Sequence, residues 1–260
     1  MDRYLEIHAA ESSDASGGAA EPALTPQTKV DPRLLVAGKR RGWFVTFEGI
    51  EGSGKTTQIT RLFDRLQSAE EPVLLTREPG GSPIGHRLRT LLLGTEGAGL
   101  TSLAELLLYV GDRAQHLHEI VDPALAAGTH VLCDRYLDAT LAYQGFARGL
   151  DLDYIRALHT KPPLDRRPDR TILLDLDPEL GLTRARTRND DLGLARSEGR
   201  FEREALAFHR RVRDGYLSLA EADPFRVRIV AAEGHPDEIE ARVADLLSDL
   251  FPVLDVEDES

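Results

Sequence analysis

The sequence predicts a three-layer α/β fold, in which a parallel β-sheet is flanked by helices on both faces. Short apolar segments alternate with longer segments of helical periodicity along most of the chain. The apolar segments are mostly uninterrupted by polar residues, as is usual for strands buried on both faces. This regular alternation favours parallel pairing through helical crossovers. We therefore expect ligands at the carboxyl ends of the strands.

Five segments have the composition of buried strands, and helical patterns lie between them. After the first strand, apolar residues recur at the spacing of one helical face between Ile59 and Leu66. Pro178 suits the first turn of a later helix, and Pro123 is expected to interrupt another. The predicted strands are Phe44–Phe47, Val73–Thr76, His130–Cys133, Thr171–Leu176 and Val227–Ala231. The predicted later helices are Ile84–Leu93, Ser102–Leu117, Asp151–His159, Pro178–Arg188, Glu202–Ala220 and Pro236–Leu250.

The composition limits the classes of partner. A net charge of −12 over 260 residues argues against binding a nucleic acid polymer, which needs a broad basic face. A small anionic ligand needs only a local cluster of arginines. Cys133 is the only cysteine, so there is no disulfide framework and a reducing compartment is favoured. No apolar run approaches the ~18 residues that cross a membrane, and we expect a cytoplasmic protein without a membrane partner.

The two ends of the chain differ from the rest. Residues 1–41 are rich in small and polar side chains, which cannot bury enough apolar surface to offset the entropy of ordering. We predict a disordered extension there, one globular domain over residues 42–254, and a short acidic tail over residues 255–260.

The segment Gly49–Thr56 reads GIEGSGKT and matches the phosphate-binding pattern G-x-x-x-x-G-K-[ST]. It lies between a predicted strand and a predicted helix, where backbone N–H groups and the helix N-terminus can hold phosphate oxygens. Lys55 is expected to reach the β- and γ-phosphates, and the Thr56 hydroxyl to ligate Mg²⁺. The residues predicted to bind ATP are Gly49, Glu51, Gly52, Ser53, Gly54, Lys55, Thr56 and Thr57.

Asp134 and Arg135 follow directly on the third predicted strand. At this edge of the sheet the carboxylate could hold Mg²⁺ or its hydration shell, and the arginine could face the phosphates. A salt bridge at the end of the strand would explain the same residues. The glycine-rich loop on a neighbouring strand favours the metal site.

Two sets of residues have the chemistry of a nucleobase site. Thr140, Tyr143 and Gln144 share one face if their segment is helical, and the Gln144 amide offers both a donor and an acceptor. Tyr109 and Arg113 form an i, i+4 pair that could stack on a base and donate to its carbonyl. Ordinary helix packing with an exposed arginine would also explain the second pair.

Arginines are dense between Arg184 and Arg203. On a mobile lid, here residues 186–200, they could neutralise a transferring phosphoryl group and exclude water. A solvated helix with salt bridges fits the same spacing. His209, further on, is expected to pack on its own helix.

Four further motifs complete a known pattern: TREPGG at Thr76–Gly81, DRAQH at Asp112–His116, DRY at Asp134–Tyr136 and AYQG at Ala142–Gly145. With the glycine-rich loop, they resemble bacterial thymidylate kinases in order and spacing over residues 42–250. The resemblance implies a five-stranded P-loop kinase fold with an arginine-bearing lid. It implies transfer of the γ-phosphoryl group of ATP to thymidine monophosphate with Mg²⁺, in a homodimer.

The resemblance also implies roles for individual residues. Tyr109 would stack on thymine, Arg113 would bond its carbonyl, and Gln144 would read the base edge beside Thr140. Glu51 would approach the sugar hydroxyl and a metal-bound water. The implied substrate-binding residues are Glu51, Arg77, Arg89, Tyr109, Arg113, Arg135, Thr140, Tyr143 and Gln144. The implied metal ligands are Thr56 and Asp134. The implied catalytic residues are Lys55, Arg135, Arg188 and Arg200.

The chain departs from the family pattern in three places. Tyr109 replaces the usual Phe, Thr140 replaces the usual Ser, and the lid is longer. The glycine-rich loop contains no arginine, which in this family goes with a catalytic arginine in the lid. Two alternatives stay open at this point: another nucleoside or nucleotide kinase of the same fold, and an ATP-binding protein without catalysis.

Overall fold

The structure, a computed structural model, describes residues 41–191 and 200–255, with the backbone alone for residues 189–191. The disordered extension predicted for residues 1–41 therefore lies outside the described residues, apart from Arg41. The same holds for residues 192–199 of the lid and for the acidic tail after Asp255, the residue that ends a short 3₁₀ helix.

The predicted parallel sheet of five strands is confirmed. The strands are β1 (Phe44–Glu48), β2 (Val73–Arg77), β3 (His130–Asp134), β4 (Arg170–Asp175) and β5 (Val227–Ala231). Their spatial order is β2-β3-β1-β4-β5, and all four pairings are parallel. Consecutive strands are joined by helical crossovers, as parallel pairing requires.

Helices cover both faces of the sheet. They are α1 (Lys55–Ser68), α2 (Pro83–Leu93), α3 (Ser102–His116), α4 (Asp122–Ala126), α5 (Leu137–Thr140), α6 (Leu152–Leu158), α7 (Pro178–Asp191), α8 (Leu206–Ala222) and α9 (Pro236–Asp245). Short π-helical segments span Leu117–Val121 and Leu141–Ala147. No helix in the described ranges is long and apolar enough to cross a membrane.

Three helical predictions need correction. Pro123 does not break the chain out of helical geometry, because it lies in the first turn of α4, where a backbone N–H is not needed. α8 begins at Leu206 instead of Glu202, since the chain first forms a 3₁₀ turn over Phe201–Arg203 that buries Phe201 against Tyr143. α9 ends at Asp245, well before Leu250.

The side chains of the strands alternate between two apolar cores. Val45, Phe47 and Leu132 belong to the core that includes α1, α8 and α9. Phe44 and Val131 point to the opposite face, where α3 and α4 cover them. This period of two is what a pleated strand imposes, and burial of both faces explains why the strand sequences are apolar throughout.

A buried ion pair joins β4, α5 and the approach to β5. Arg226 donates to both carboxylate oxygens of Asp138, at 2.6 and 3.0 Å. It also donates to the Thr171 hydroxyl at 2.9 Å. Asp138 is buried and Arg226 is largely so, and removal of either partner would leave the other charge in a poorly solvated site.

We expect Arg226→Met to lower the free energy of unfolding by roughly 3–5 kcal/mol, because it leaves the buried Asp138 carboxylate without the charge of Arg226. Arg210 forms an exposed pair with Glu179, and Arg210→Met should cost no more than about 1 kcal/mol. Urea unfolding of both variants measures the difference. Equal costs would show that the buried pair contributes nothing beyond an ordinary surface contact.

Candidate active site

The carboxyl ends of β1, β2 and β3 open into one cavity of about 820 Å³. Most of the predicted site residues line it together, although they come from six separate parts of the chain. Gly49 and Arg200 do not line this cavity. The predicted residues that do are Glu51, Gly52, Ser53, Gly54, Lys55, Thr56, Thr57, Arg77, Arg89, Tyr109, Arg113, Asp134, Arg135, Thr140, Tyr143, Gln144 and Arg188.

The loop between β1 and α1 needs its glycines. Gly52 has a φ of 72°, and a Cβ atom there would lie 2.0 Å from the Gly181 carbonyl oxygen. Gly49 has a φ of 138° and a similar conflict with the Leu174 carbonyl. Any side chain at either position would be strained. The backbone can therefore turn tightly enough to direct N–H groups towards the cavity.

Lys55 begins α1 and folds back over this loop. Its Nζ donates to the Gly49 carbonyl at 3.0 Å and to the Ile50 carbonyl at 2.8 Å. Burial, together with the nearby charge of Arg135, lowers the pKa of Lys55 to about 8. The ammonium is thus held close to the loop and would gain from an anion placed beside it.

Thr56 and Asp134 bring a hydroxyl and a carboxylate to one point of the cavity wall. Thr56 Oγ1 donates to Asp134 Oδ2 at 3.4 Å. Hard oxygen donors of this kind suit Mg²⁺, which is commonly held by one or two protein ligands together with phosphates and water. Within the described ranges, no group of three or more His, Cys, Asp or Glu residues could hold a metal by itself.

Arg135 occupies a left-handed backbone conformation with a φ of 71°, which is uncommon for a residue with a side chain. Its Nη1 donates to the Gly49 carbonyl at 3.0 Å and to the Tyr216 hydroxyl at 3.1 Å. Its Nη2 donates to Glu51 Oε1 at 3.1 Å. The guanidinium also lies over the Tyr143 ring, so its position beside the loop is fixed on several sides.

Glu51 is held equally firmly. Its Oε1 accepts the Tyr143 hydroxyl at 2.5 Å, and its Oε2 lies 3.2 Å from His209 Nδ1. Burial opposes ionisation, but the His209 ring and the Arg135 charge outweigh it and hold the pKa of Glu51 well below its usual range. His209 therefore does more than pack on its helix, because it bridges Glu51 and the Phe201 carbonyl.

Tyr109, Arg113, Thr140 and Gln144 all line the cavity. Arg113 is fully buried and its Nη2 donates to the Thr140 hydroxyl at 3.0 Å. Gln144 lies in the π-helical segment that follows α5. Thr140, Tyr143 and Gln144, which were predicted to share one helical face, all line the cavity, although only Thr140 belongs to regular α-helix.

The remaining arginines take different positions. Arg89 Nη1 donates to the Pro79 carbonyl at 3.1 Å, and Arg77 is buried in the cavity wall. Arg188 is half-exposed and lies 3.9 Å from Glu202. Arg200, in contrast, is buried in an ion pair with Glu105 and donates to the Leu92 carbonyl at 2.8 Å.

Comparisons with known proteins agree with this geometry. The chain matches the family model for thymidylate kinase over residues 47–243. It is 54% identical to the thymidylate kinase of Syntrophotalea carbinolica over 201 residues, covering 77% of this chain and 93% of that protein. It is 49% identical to that of Oleidesulfovibrio alaskensis over 210 residues, covering 81% and 99%. This chain belongs to the thymidylate kinase family.

A solved relative supports the same assignment at the level of the fold. The crystal structure of thymidylate kinase from Ehrlichia chaffeensis matches this structure with a TM-score of 0.63 at 33% sequence identity. The match covers 80% of this chain and 99% of that one. Family membership therefore holds for sequence and fold alike.

A buried network behind Arg113 was not assigned from the sequence. Glu78 accepts Arg113 Nε at 2.8 Å and lies 2.9 Å from His116 Nδ1. Arg113 Nη1 donates to His159 Nε2 at 2.9 Å. Burial and the Arg113 charge lower the pKa of His159 to about 4, which fits a neutral ring that accepts. In this member of the thymidylate kinase family, the TREPGG and DRAQH motifs therefore meet at one guanidinium.

Glu48, at the end of β1, was likewise not identified from the sequence. It is fully buried, and it accepts the Tyr136 backbone N–H and the Tyr216 hydroxyl, both at 2.7 Å. Burial and the nearby charge of Asp138 raise the pKa of Glu48 to about 7. The sequence around Glu48 does not indicate these contacts, because a single glutamate at the end of an apolar strand is also compatible with an exposed side chain.

Glu48 should make stability depend on pH. Its folded-state pKa near 7 exceeds the ordinary value of 4.5, so the folded protein binds more protons and loses stability as pH rises between these values. We expect the unfolding free energy of the wild type to fall relative to Glu48→Gln by about 3 kcal/mol from pH 4.5 to pH 7. Urea unfolding of both proteins at pH 5 and pH 8 tests this, and a constant difference would contradict it.

Proposed function

We propose that this chain transfers the γ-phosphoryl group of ATP to thymidine monophosphate, producing thymidine diphosphate and ADP. One observation carries the proposal: the phosphate-binding loop and the wall formed by Tyr109, Arg113 and Gln144 open into the same cavity. A protein that only bound ATP would need no second polar wall facing the loop. Membership of the thymidylate kinase family supports the same acceptor.

The donor phosphates would lie on the glycine-rich loop. Backbone N–H groups of the loop and the N-terminus of α1 would bind their oxygens, and Lys55 would exchange its contacts with the Gly49 and Ile50 carbonyls for the β- and γ-phosphates. The buried ammonium becomes more stable when the phosphate charge approaches, because its pKa is depressed without such a partner.

Thr56 and Asp134 would hold Mg²⁺ at the cavity wall. When bound, the ion would supply positive charge that offsets the negative charge of the donor phosphates. The distance of 3.4 Å between the Thr56 hydroxyl and the Asp134 carboxylate supports a shared ion.

The acceptor phosphate would lie beside Arg135, with Arg89 and Arg77 nearby. No general base is needed, since a phosphate monoester has a second pKa of about 6 and is largely dianionic at neutral pH. The site has to bring two polyanions together, the ATP phosphates and the acceptor phosphate. Fixed guanidinium groups lower the repulsion between them without reorganising during the reaction. Glu51 and Tyr143 keep Arg135 in place for this purpose.

The base would lie against Tyr109. Arg113, which has N–H groups beyond those that contact Glu78, His159 and Thr140, would donate to the base carbonyl. Gln144 would read the neighbouring edge. The methyl group of Thr140 would border the sugar and base.

Of the two candidate lid arginines, we propose Arg188 as the catalytic one. Arg188 lines the cavity, whereas Arg200 is held in its buried pair with Glu105. Arg184, on the same helix as Arg188, also lines the cavity and was not selected from the sequence. The homodimer and the cytoplasmic location stay predictions.

The first test of the function measures ADP release from ATP and Mg²⁺ with ribo- and deoxynucleoside monophosphates of all five bases. We expect strong dependence on thymidine monophosphate. Lys55→Ala should reduce kcat by about 10²–10³-fold, because it removes a charge that contacts the transferring group. Lys161 is exposed and does not line the cavity, so Lys161→Ala should retain wild-type rates.

Other outcomes of this assay separate the alternatives. Preference for a different acceptor would keep the phosphate chemistry and reject the roles given to Tyr109, Arg113 and Gln144. ATP binding without any acceptor-dependent turnover would indicate a protein that binds nucleotide without catalysis.

Arg188→Ala and Arg200→Ala should have distinct effects. Arg188→Ala is expected to lower kcat by about 10²–10³-fold with little change in stability, because the side chain is half-exposed. Arg200→Ala leaves Glu105 without its buried partner Arg200 and should lower the free energy of unfolding by roughly 3 kcal/mol or more. Single-turnover kinetics and urea unfolding of both variants check this. A loss of kcat confined to Arg200→Ala would reverse the assignment.

A further inference from the structure

Glu105 is buried against Gln144, which belongs to the wall that we propose faces the base. It belongs to the first turn of α3, and only 1% of its surface is exposed. Its Oε1 accepts Gln144 Nε2 at 2.7 Å, and Arg148 Nε lies 3.4 Å from the same oxygen. Its other oxygen is paired with Arg200. One buried carboxylate therefore joins three side chains from two parts of the chain, Gln144 and Arg148 from one and Arg200 from the other.

The contact with Glu105 determines how the Gln144 amide is oriented. The two ends of a glutamine amide have nearly the same shape, so the amide can usually be turned over. A carboxylate only accepts hydrogen bonds, and it therefore selects the N–H₂ end. Turning the amide over would place Gln144 Oε1 against Glu105 Oε1 at contact distance, with two acceptors facing each other and a buried donor lost.

Glu105 cannot easily move to relieve such a clash. Arg200 holds its second oxygen, and the Arg200 guanidinium is itself fixed by the Leu92 carbonyl at 2.8 Å. Arg148 is anchored to Glu204 at 2.7 Å. The carboxylate is thus a rigid acceptor, and the amide oxygen of Gln144 is the end left to face the cavity that Gln144 lines.

We propose that Glu105 is a positioning residue that determines base specificity by fixing Gln144 Oε1 towards the base. The inference rests on the proposed function, in which Gln144 reads the base edge. Thymine offers an N–H donor at ring position 3 beside a carbonyl acceptor, whereas cytosine offers a ring acceptor beside an amino donor. An oriented Gln144 oxygen with an Arg113 donor matches thymine and opposes cytosine at both positions.

The test compares kcat/KM for thymidine monophosphate with that for deoxycytidine monophosphate. In Glu105→Gln, the new amide can donate or accept, so Gln144 is free to present either end. The ratio of the two kcat/KM values should fall at least about tenfold. The fall should include a lower KM for deoxycytidine monophosphate, which general damage to the fold would not produce.

Arg200 provides the matched controls. Arg200→Gln removes the charge that faces Glu105, but the carboxylate keeps its contacts with Gln144 and Arg148 and can accept from the new amide in place of the guanidinium. The selectivity ratio should therefore stay at the wild-type value even if turnover drops. The double variant Glu105→Gln/Arg200→Gln leaves no unpaired buried charge at this pair, and it should lose selectivity as Glu105→Gln does. The double variant keeps the test valid if Glu105→Gln alone fails to fold.

The outcomes distinguish the inference from the proposed function. A wild type that does not prefer thymidine monophosphate would reject the proposed function. A wild type that prefers it, with an unchanged ratio in both variants that carry Glu105→Gln, would overturn the role of Glu105 alone. Loss of selectivity in Arg200→Gln would also overturn it, since that variant retains the carboxylate.

Discussion

The parallel pairing of β3 with β1 is the constraint on which the whole candidate site depends. It sets Asp134 opposite Phe47, and the Arg135 N–H continues the pairing by donating to the Phe47 carbonyl at 3.0 Å. The glycine-rich loop leaves β1 at this level, so Thr56 can reach Asp134 and Arg135 can reach Gly49. A slip of one residue would turn Asp134 to the opposite face of the sheet and separate these groups.

The left-handed turn at Arg135 is stabilised from the β1 side. Glu48 accepts a hydrogen bond from the backbone N–H of Tyr136, the residue after Arg135. Glu48 also accepts from the Tyr216 hydroxyl, and that hydroxyl in turn accepts from the Arg135 guanidinium. Backbone strain at one residue is thus offset by a buried carboxylate at the end of the neighbouring strand. The same carboxylate keeps a raised pKa because it is buried and lies near the charge of Asp138.

Buried carboxylates also explain how an acidic chain can present cations to phosphate. Arg135, beside the phosphate-binding loop, is paired with Glu51, and Arg113, further along the same cavity, is paired with Glu78. Each glutamate fixes the direction of a guanidinium and reduces its mobility, so the site is organised before a ligand arrives. The net charge of the whole chain is therefore a poor guide to the charge that a small ligand meets, whereas it does bear on binding to a long polymer.

The sequence by itself determined the features that depend on neighbouring residues: five apolar strands, the glycine-rich loop and the motifs around Asp134 and Gln144. Only the tertiary structure decided the roles of Glu48, Glu78 and Glu105, because each acts on a partner 35 or more residues away. It likewise separated Arg188 from Arg200, which have the same chemistry and similar surroundings in sequence. Local sequence patterns predict which helices and strands form. The partner of a buried charge depends instead on how elements that are distant in sequence pack together.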